Sequence, residues 1–149
     1  MRVLHILPDL SPGGAERLVC AHARSQPGVA VATVFGGGAL ESAFQDTTLT
    51  RGERRPGRPS LAALARLVRA ARAADVVHTH LFAGNLWGGL AARLASRRQV
   101  AHEHNVDRDE SPATVAVRRH IGAWPALTLA VSEAAARHSY GRDIEVVEN

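Results

Sequence analysis

Lysine is missing from this 149-residue chain: all 18 basic residues are arginine. Its absence removes Schiff-base chemistry and the phosphate-binding lysine of P-loop enzymes. A single cysteine, Cys20, excludes an internal disulfide framework and fits a reducing compartment such as the cytoplasm. Only six aromatic residues occur (two Trp, one Tyr, three Phe), and none alternates with arginines in the basic stretch. No stacking platform for nucleic acid follows. Nor is there an apolar run of 18 residues, the length a membrane-crossing helix needs. The N-terminal apolar run Val3 to Leu7 stops at Pro8-Asp9, too short for a signal peptide.

What is present is ordinary globular material. Apolar residues make up 46% and charged residues 21%, with a net charge of +4. The length suits one domain with a real core. Twenty-seven alanines and one tyrosine fit a GC-rich coding sequence, which accounts for the arginine bias without a partner. Arginine forks also bind phosphate bidentately, so nucleotides and anionic lipids stay open as partners.

Short apolar runs alternate with longer helical patterns, which predicts a parallel α/β sheet. Val3–Leu7 is nearly all apolar, as a strand buried on both faces should be. Gly13-Gly14 then leads into a helix with Ala15, Leu18, Val19 and His22 on one face. Further strands are predicted over 29–35, 47–50, 75–80, 99–103, 127–131 and 144–147. Ser60 reads as the N-cap of a helix to Ala74 with Leu61, Leu64, Leu67, Val68 and Ala71 inside. Residues 85–95 read as helical. Pro112 after Ser111 starts another helix, and Ser132 caps a last one. The result is a Rossmann-like, doubly wound domain over residues 1–149 with six or seven strands.

In such sheets ligands sit beyond the carboxyl ends of the strands. Four marked segments fall there: Gly13-Gly14, His80, Glu103-His104-Asn105 and Ser132. The two glycines would let backbone N–H groups approach an anion at a helix N-terminus. A plain tight turn would use the same residues. The Gly-x-Gly-x-x-Gly fingerprint of dinucleotide binding is absent, and no acidic residue closes the second strand, which argues against NAD. His78-Thr79-His80 and His102-Glu103-His104 place both members of each pair on one strand face. They suit polar ligand contacts by the outer members, structural roles for the inner ones buried under a helix, or a metal site. Glu103 and Asp107 are also candidate acid–base groups. Arg54, Arg55, Arg58, Arg66, Arg69 and Arg72 surround the helix capped by Ser60, which could lie on anionic membrane or simply face solvent.

Five segments in register resemble the acceptor-side half of family-4 glycosyltransferases. They are Pro12-Gly13-Gly14-Ala15-Glu16, Asp75-Val76-Val77-His78-Thr79-His80, Glu103-His104-Asn105, Ala130-Val131-Ser132-Glu133 and Val146-Val147-Glu148-Asn149. The resemblance implies one half of a GT-B enzyme that moves a hexose, with retention, from a nucleotide sugar to a lipid or glycan acceptor. It implies no required metal or cofactor. By the same resemblance, Gly13 and Gly14 approach the donor phosphates or sugar, and His104 meets the donor sugar near the reacting centre. Glu16, His80, Glu103 and Asn105 are then cleft residues. Family members usually continue past the position of Asn149 into a domain that holds the nucleotide. The chain is therefore expected to be a piece of a longer protein or one subunit of a split enzyme, working in the cytoplasm or at the inner membrane face. The competing expectations are a non-catalytic binding module of the same fold and a metal hydrolase built on the two His-x-His pairs.

Overall fold

In the computed structural model, described over residues 1–53, 59–104 and 111–147, the chain forms a seven-stranded, all-parallel sheet. The strands are β1 (Val3–Leu7), β2 (Val29–Thr33), β3 (Thr48–Thr50), β4 (Val76–His80), β5 (Arg98–Glu103), β6 (Leu127–Ala130) and β7 (Ile144–Val146). Their spatial order is β3-β2-β1-β4-β5-β6-β7, so the chain doubles back at β1 and the sheet's switch point lies between β1 and β4. Each predicted strand exists, with ends moved by one or two residues. The Rossmann-like α/β fold is the one the alternation of runs implies.

The sheet's two faces are covered unequally, and that asymmetry positions the site. On one face α1 (Gly14–Ser25) and a 3₁₀ turn (Glu41–Phe44) pack Val19, Ala15 and Phe44 onto Leu7 and Val31. On the other, α2 (Leu61–Arg72) and a helical stretch after β4 bury Leu67, Ala71, Ala91 and Ala92 against Leu4, Ile6 and Val77. That stretch consists of α3 (Leu81–Ala83), a π-helical turn (Gly84–Gly88) and α4 (Gly89–Leu94). It sits close to the sheet because its residues are small. A Cβ on Gly84 would lie 2.7 Å from the Ile6 carbonyl oxygen, and one on Gly88 2.8 Å from Thr79 Cγ2. Then come α5 (Pro112–Ile121) and α6 (Glu133–Arg137).

The caps read from sequence are in place. Ser60, Ser111 and Ser132 accept hydrogen bonds from the backbone N–H groups of Ala63, Thr114 and Ala135. One inward assignment is corrected. Leu61 is 87% exposed, because the buried stripe of α2 runs through Ala63, Leu67 and Ala71 with Leu64 and Val68 on its flank. At the first position of the helix, Leu61 lies off that stripe.

Candidate functional site

The carboxyl edge of the sheet gathers most of the predicted site residues. Gly13, in extended backbone, caps α1, and Gly14 is exposed at its first turn. The two glycines differ. A Cβ on Gly13 would run into the Glu16 carboxylate, whereas a Cβ on Gly14 would meet nothing within 4 Å. Nothing in the described fold therefore needs a glycine at 14, where alanine would favour the helix more. Glu16 is buried in the same first turn. Burial raises its carboxyl above the ordinary value; a hydrogen bond from its own backbone N–H opposes this, and the charge of Asp9 adds to it.

The four strand-borne histidines share one face with His5, as alternation requires. The register pairs His5 with His78 and His80 with His102, so five imidazoles from three adjacent strands stack on one another. Ring centroids are 4.8 Å apart for His5 and His78, 4.4 Å for His78 and His80, and 4.2 Å for His102 and His104. His22, on the inward side of α1, adds a sixth ring, edge-on to His5 at 4.9 Å.

Three hydrogen bonds run through the cluster. His22 Nδ1 meets His5 Nε2 at 2.9 Å, His5 Nδ1 meets His80 Nε2 at 2.8 Å, and His80 Nδ1 meets His104 Nε2 at 3.1 Å. Burial, followed by repulsion from neighbouring imidazoles, pushes His5 down to about 3 and His78 to about 2. It holds His80 well below the ordinary value and lowers His102. His104 falls to about 4, by burial and then by repulsion from His102. At neutral pH these rings are uncharged.

The first pair departs from the sequence reading, whereas the second follows it, with His102 buried and His104 half-buried. In the first, His80, the outer one, is fully buried, while His78, the inner one, is only half-buried. A groove of about 460 Å³, lined by Leu18 and His22 of α1 and by His78, His102 and Leu129 of the sheet, lies against His78. The imidazole nitrogens of His102 and Nε2 of His78 are buried there without a hydrogen-bond partner in the described residues.

Glu103 goes to the opposite face from its two histidine neighbours. There its Oε1 lies 3.5 Å from Arg118 Nη1 and accepts from Asn85 Nδ2 at 3.4 Å. Asn85 also accepts from Thr79 Oγ1 at 2.7 Å, and Gln99 Nε2 donates to Thr79 Oγ1 at 2.9 Å. The Arg118 guanidinium lies 4.8 Å over the Phe82 ring. This buried network ties β4, β5, the π turn and α5 together and separates Glu103 from the histidine cluster. Asn105, Asp107, Arg54, Arg55, Arg58, Glu148 and Asn149 lie outside the described residues.

Among the described residues, two sets of imidazoles could hold a metal ion: His5, His78 and His80, and His80, His102 and His104. Within each set the nearest ligand atoms lie within 4.8 Å of one another. In the first set His5 and His80 already hydrogen-bond to each other, and in the second His80 and His104 do.

Sequence reasoning did not assign His5 and His22 to the site. His22 was legible as an inward residue of α1. His5 carried no signal, because only the sheet order sets β1 beside β4. Leu81 was missed as well: directly after His80 it takes φ +59°, a left-handed conformation that a leucine rarely adopts. It turns the chain from β4 into α3 at the mouth of the site.

A Rossmann-like α/β domain whose Gly-Gly turn and histidines converge on the carboxyl edge of a parallel sheet is thus defined. Residues 12–149 match the family model Glycosyltransferase Family 4, and the chain belongs to that family. No curated protein matches it in sequence. Among solved structures, Anabaena HepE in complex with UDP-glucose superposes with a TM-score of 0.83 at 22% identity, over 100% of this chain and 44% of HepE. Acinetobacter baumannii MurG gives 0.66 at 17% identity, over 99% of this chain and 45% of MurG. S. aureus MnaA, solved with UDP, gives 0.56 at 14% identity, over 98% and 43%. The chain therefore spans less than half the length of the structures it resembles.

Proposed function

We propose that this chain is the acceptor-side half of a retaining glycosyltransferase that moves a hexose from a nucleotide sugar to a lipid or glycan acceptor. Its family membership supports the transferase class. The observation that carries the reading is the open space at Gly14, a glycine the fold does not need, at the N-terminus of α1. Backbone N–H groups there suit an anionic group such as a donor diphosphate. His104, neutral and half-buried at the end of β5, suits a hydrogen bond to a donor hydroxyl beside the reacting carbon. His80 supports it from below, and Glu16 lines the same turn. In this reading the groups named on the chain supply binding and orientation, and neither a cofactor nor a metal is required.

The nucleotide-binding partner domain, in cis or in trans, supplies the other wall. Holding both substrates in one closed cleft contributes up to roughly 7–11 kcal/mol of the barrier, so the 149 residues alone are expected to turn over negligibly. A cytoplasmic site of action is in keeping with the single, unpaired Cys20. Peripheral contact with the anionic inner membrane face would use Arg69 and Arg72, exposed on α2.

The test is a transfer assay with UDP-linked hexoses, which HepE makes the first donors to try, using this chain joined or mixed with a donor-binding domain. Product of retained anomeric configuration, insensitive to EDTA, is expected. Robust turnover by the 149 residues alone, or none from any nucleotide sugar by the completed enzyme, overturns the proposal.

A further inference from the structure

The three imidazole–imidazole hydrogen bonds have a common polarity. Each joins Nδ1 of one ring to Nε2 of the next, in the order His22, His5, His80, His104. A neutral imidazole carries one N–H and one lone pair. If His22 donates from Nδ1, His5 must accept at Nε2 and therefore carries its proton on Nδ1. The same condition then passes to His80 and to His104. The reverse choice passes along the line in the same way. Four neutral rings can thus satisfy three links in only two ways: all protonated on Nδ1, or all on Nε2.

We propose that His22, His5 and His80 are positioning residues for His104, forming a one-way line of imidazoles that holds all four rings in the Nε2–H tautomer. In that state His104 donates through Nε2 to His80, His80 to His5, and His5 to His22, whose Nε2–H is left to solvent at the half-exposed end of the line. The single ring nitrogen left to His104 is then Nδ1, as a fixed hydrogen-bond acceptor. Nε2–H is the tautomer a neutral histidine side chain prefers in water, and the line adds that preference over four rings. A substrate hydroxyl meeting His104 would therefore donate to it.

Burial supports a tautomeric lock over a conducting wire. His5 and His80 are 2% and 0% exposed, and a proton resting on either would be a charge without solvent. A metal ion would need the lone pairs that make the links, so the two uses exclude each other.

This inference deepens the role given to His104 above, yet its test needs no substrate, so the two readings fail separately. Protein labelled with [15N]histidine is examined at pH 7 by long-range 1H–15N correlation, which distinguishes a protonated from an unprotonated ring nitrogen. His5, His80 and His104 are each expected to show protonated Nε2 and unprotonated Nδ1. Any of the three in the other tautomer, or His104 as an imidazolium or an averaging mixture, overturns the proposal. In His80→Leu, His104 is expected to lose its single tautomer while the amide spectrum of β1 and β5 persists. Unchanged His104 shifts in that variant overturn it too. Equimolar Zn2+ is expected to leave all four rings unchanged, and stoichiometric binding there would mean that the nitrogens serve a metal. Should His80→Leu not fold, the wild-type spectrum decides the matter.

Discussion

His5 Nδ1 and His80 Nε2 lie 2.8 Å apart although the two residues are not partners in the sheet: His5 is paired with His78, and its ring leans along the strand to reach His80. Both rings are buried, 2% and 0% exposed. Their burial makes the fold sensitive to acid before any carboxylate is.

In the unfolded chain these histidines take up protons near pH 6.5, whereas in the folded protein His5 waits until about 3 and His104 until about 4. Below 6.5 the unfolded state binds more protons, so stability falls with falling pH; above it both states are neutral and stability is flat. Each buried ring contributes about 1.4 kcal/mol per pH unit in that window, so His5 and His80 alone remove about 3 kcal/mol by pH 5.5. Calorimetry at pH 8.5, 7.5 and 5.5 should give two equal melting temperatures and one clearly lower. Equal values at 7.5 and 5.5 would contradict the neutral, buried assignment.

Gly14→Ala separates a ligand role from a folding one. Because no atom lies where the new methyl group would go, the variant should fold and gain about 0.4–1 kcal/mol through a less flexible unfolded chain. Donor kcat/KM in the completed enzyme should nonetheless fall at least tenfold, since the methyl group occupies space meant for the donor. Unaltered kinetics in a stabilised Gly14→Ala protein would remove the observation that carries the transferase reading.

His104 and His102 should part company under mutation. His104→Ala in the completed enzyme is expected to lower kcat about a hundredfold, the value of one preorganised polar contact of about 3 kcal/mol, with a smaller effect on donor affinity. Both ring nitrogens of His102 are buried without a hydrogen-bond partner among the described residues, so His102→Leu removes an unfavourable burial and should keep or raise the melting temperature. Steady-state kinetics and thermal melts on both variants decide it. Wild-type kcat in His104→Ala would place the active histidine elsewhere.

Ser60 does two jobs at the start of α2. Its hydroxyl accepts from Ala63 N at 3.2 Å and donates to Glu53 Oε1 at 2.6 Å. Ser60→Ala should cost about 1 kcal/mol, a fall of roughly 2–4 °C in melting temperature. A melt unchanged within error would show the cap to be dispensable.

The strands were legible because a parallel sheet covered on both faces prints nearly continuous apolar runs, and the helices because serine caps stand before them. The shared face of His78 with His80 and of His102 with His104 followed from the two-residue period. What sequence spacing could not supply was lateral order. Only the placing of β1 between β2 and β4 brings His5 to His80, and only the three-dimensional packing leaves His78 more open than His80. The same period that aligned the histidines sends Glu103 to the other face, against the family-based reading of Glu103-His104-Asn105 as one cleft segment. The Thr79–Asn85–Gln99–Glu103–Arg118 network joins residues up to 39 positions apart through side chains alone, which no local pattern encodes.

The central place of β1 also fixes an order of events during synthesis. β1 is made first, yet one of its two ladders belongs to β4, where Val3 pairs with Val76 and Leu4 with Val77. At roughly 5–20 residues per second, several seconds pass on the ribosome before that partner exists. Through that interval Leu4 and Ile6 have no finished core to enter, and His5 waits 75 residues for His80. Contacts of such long range make folding slow, because the loop must close before any of them can form. β1, made before the other six strands, is thus among the last to reach its final surroundings, and the histidine line closes only when β5 has followed β4 into place.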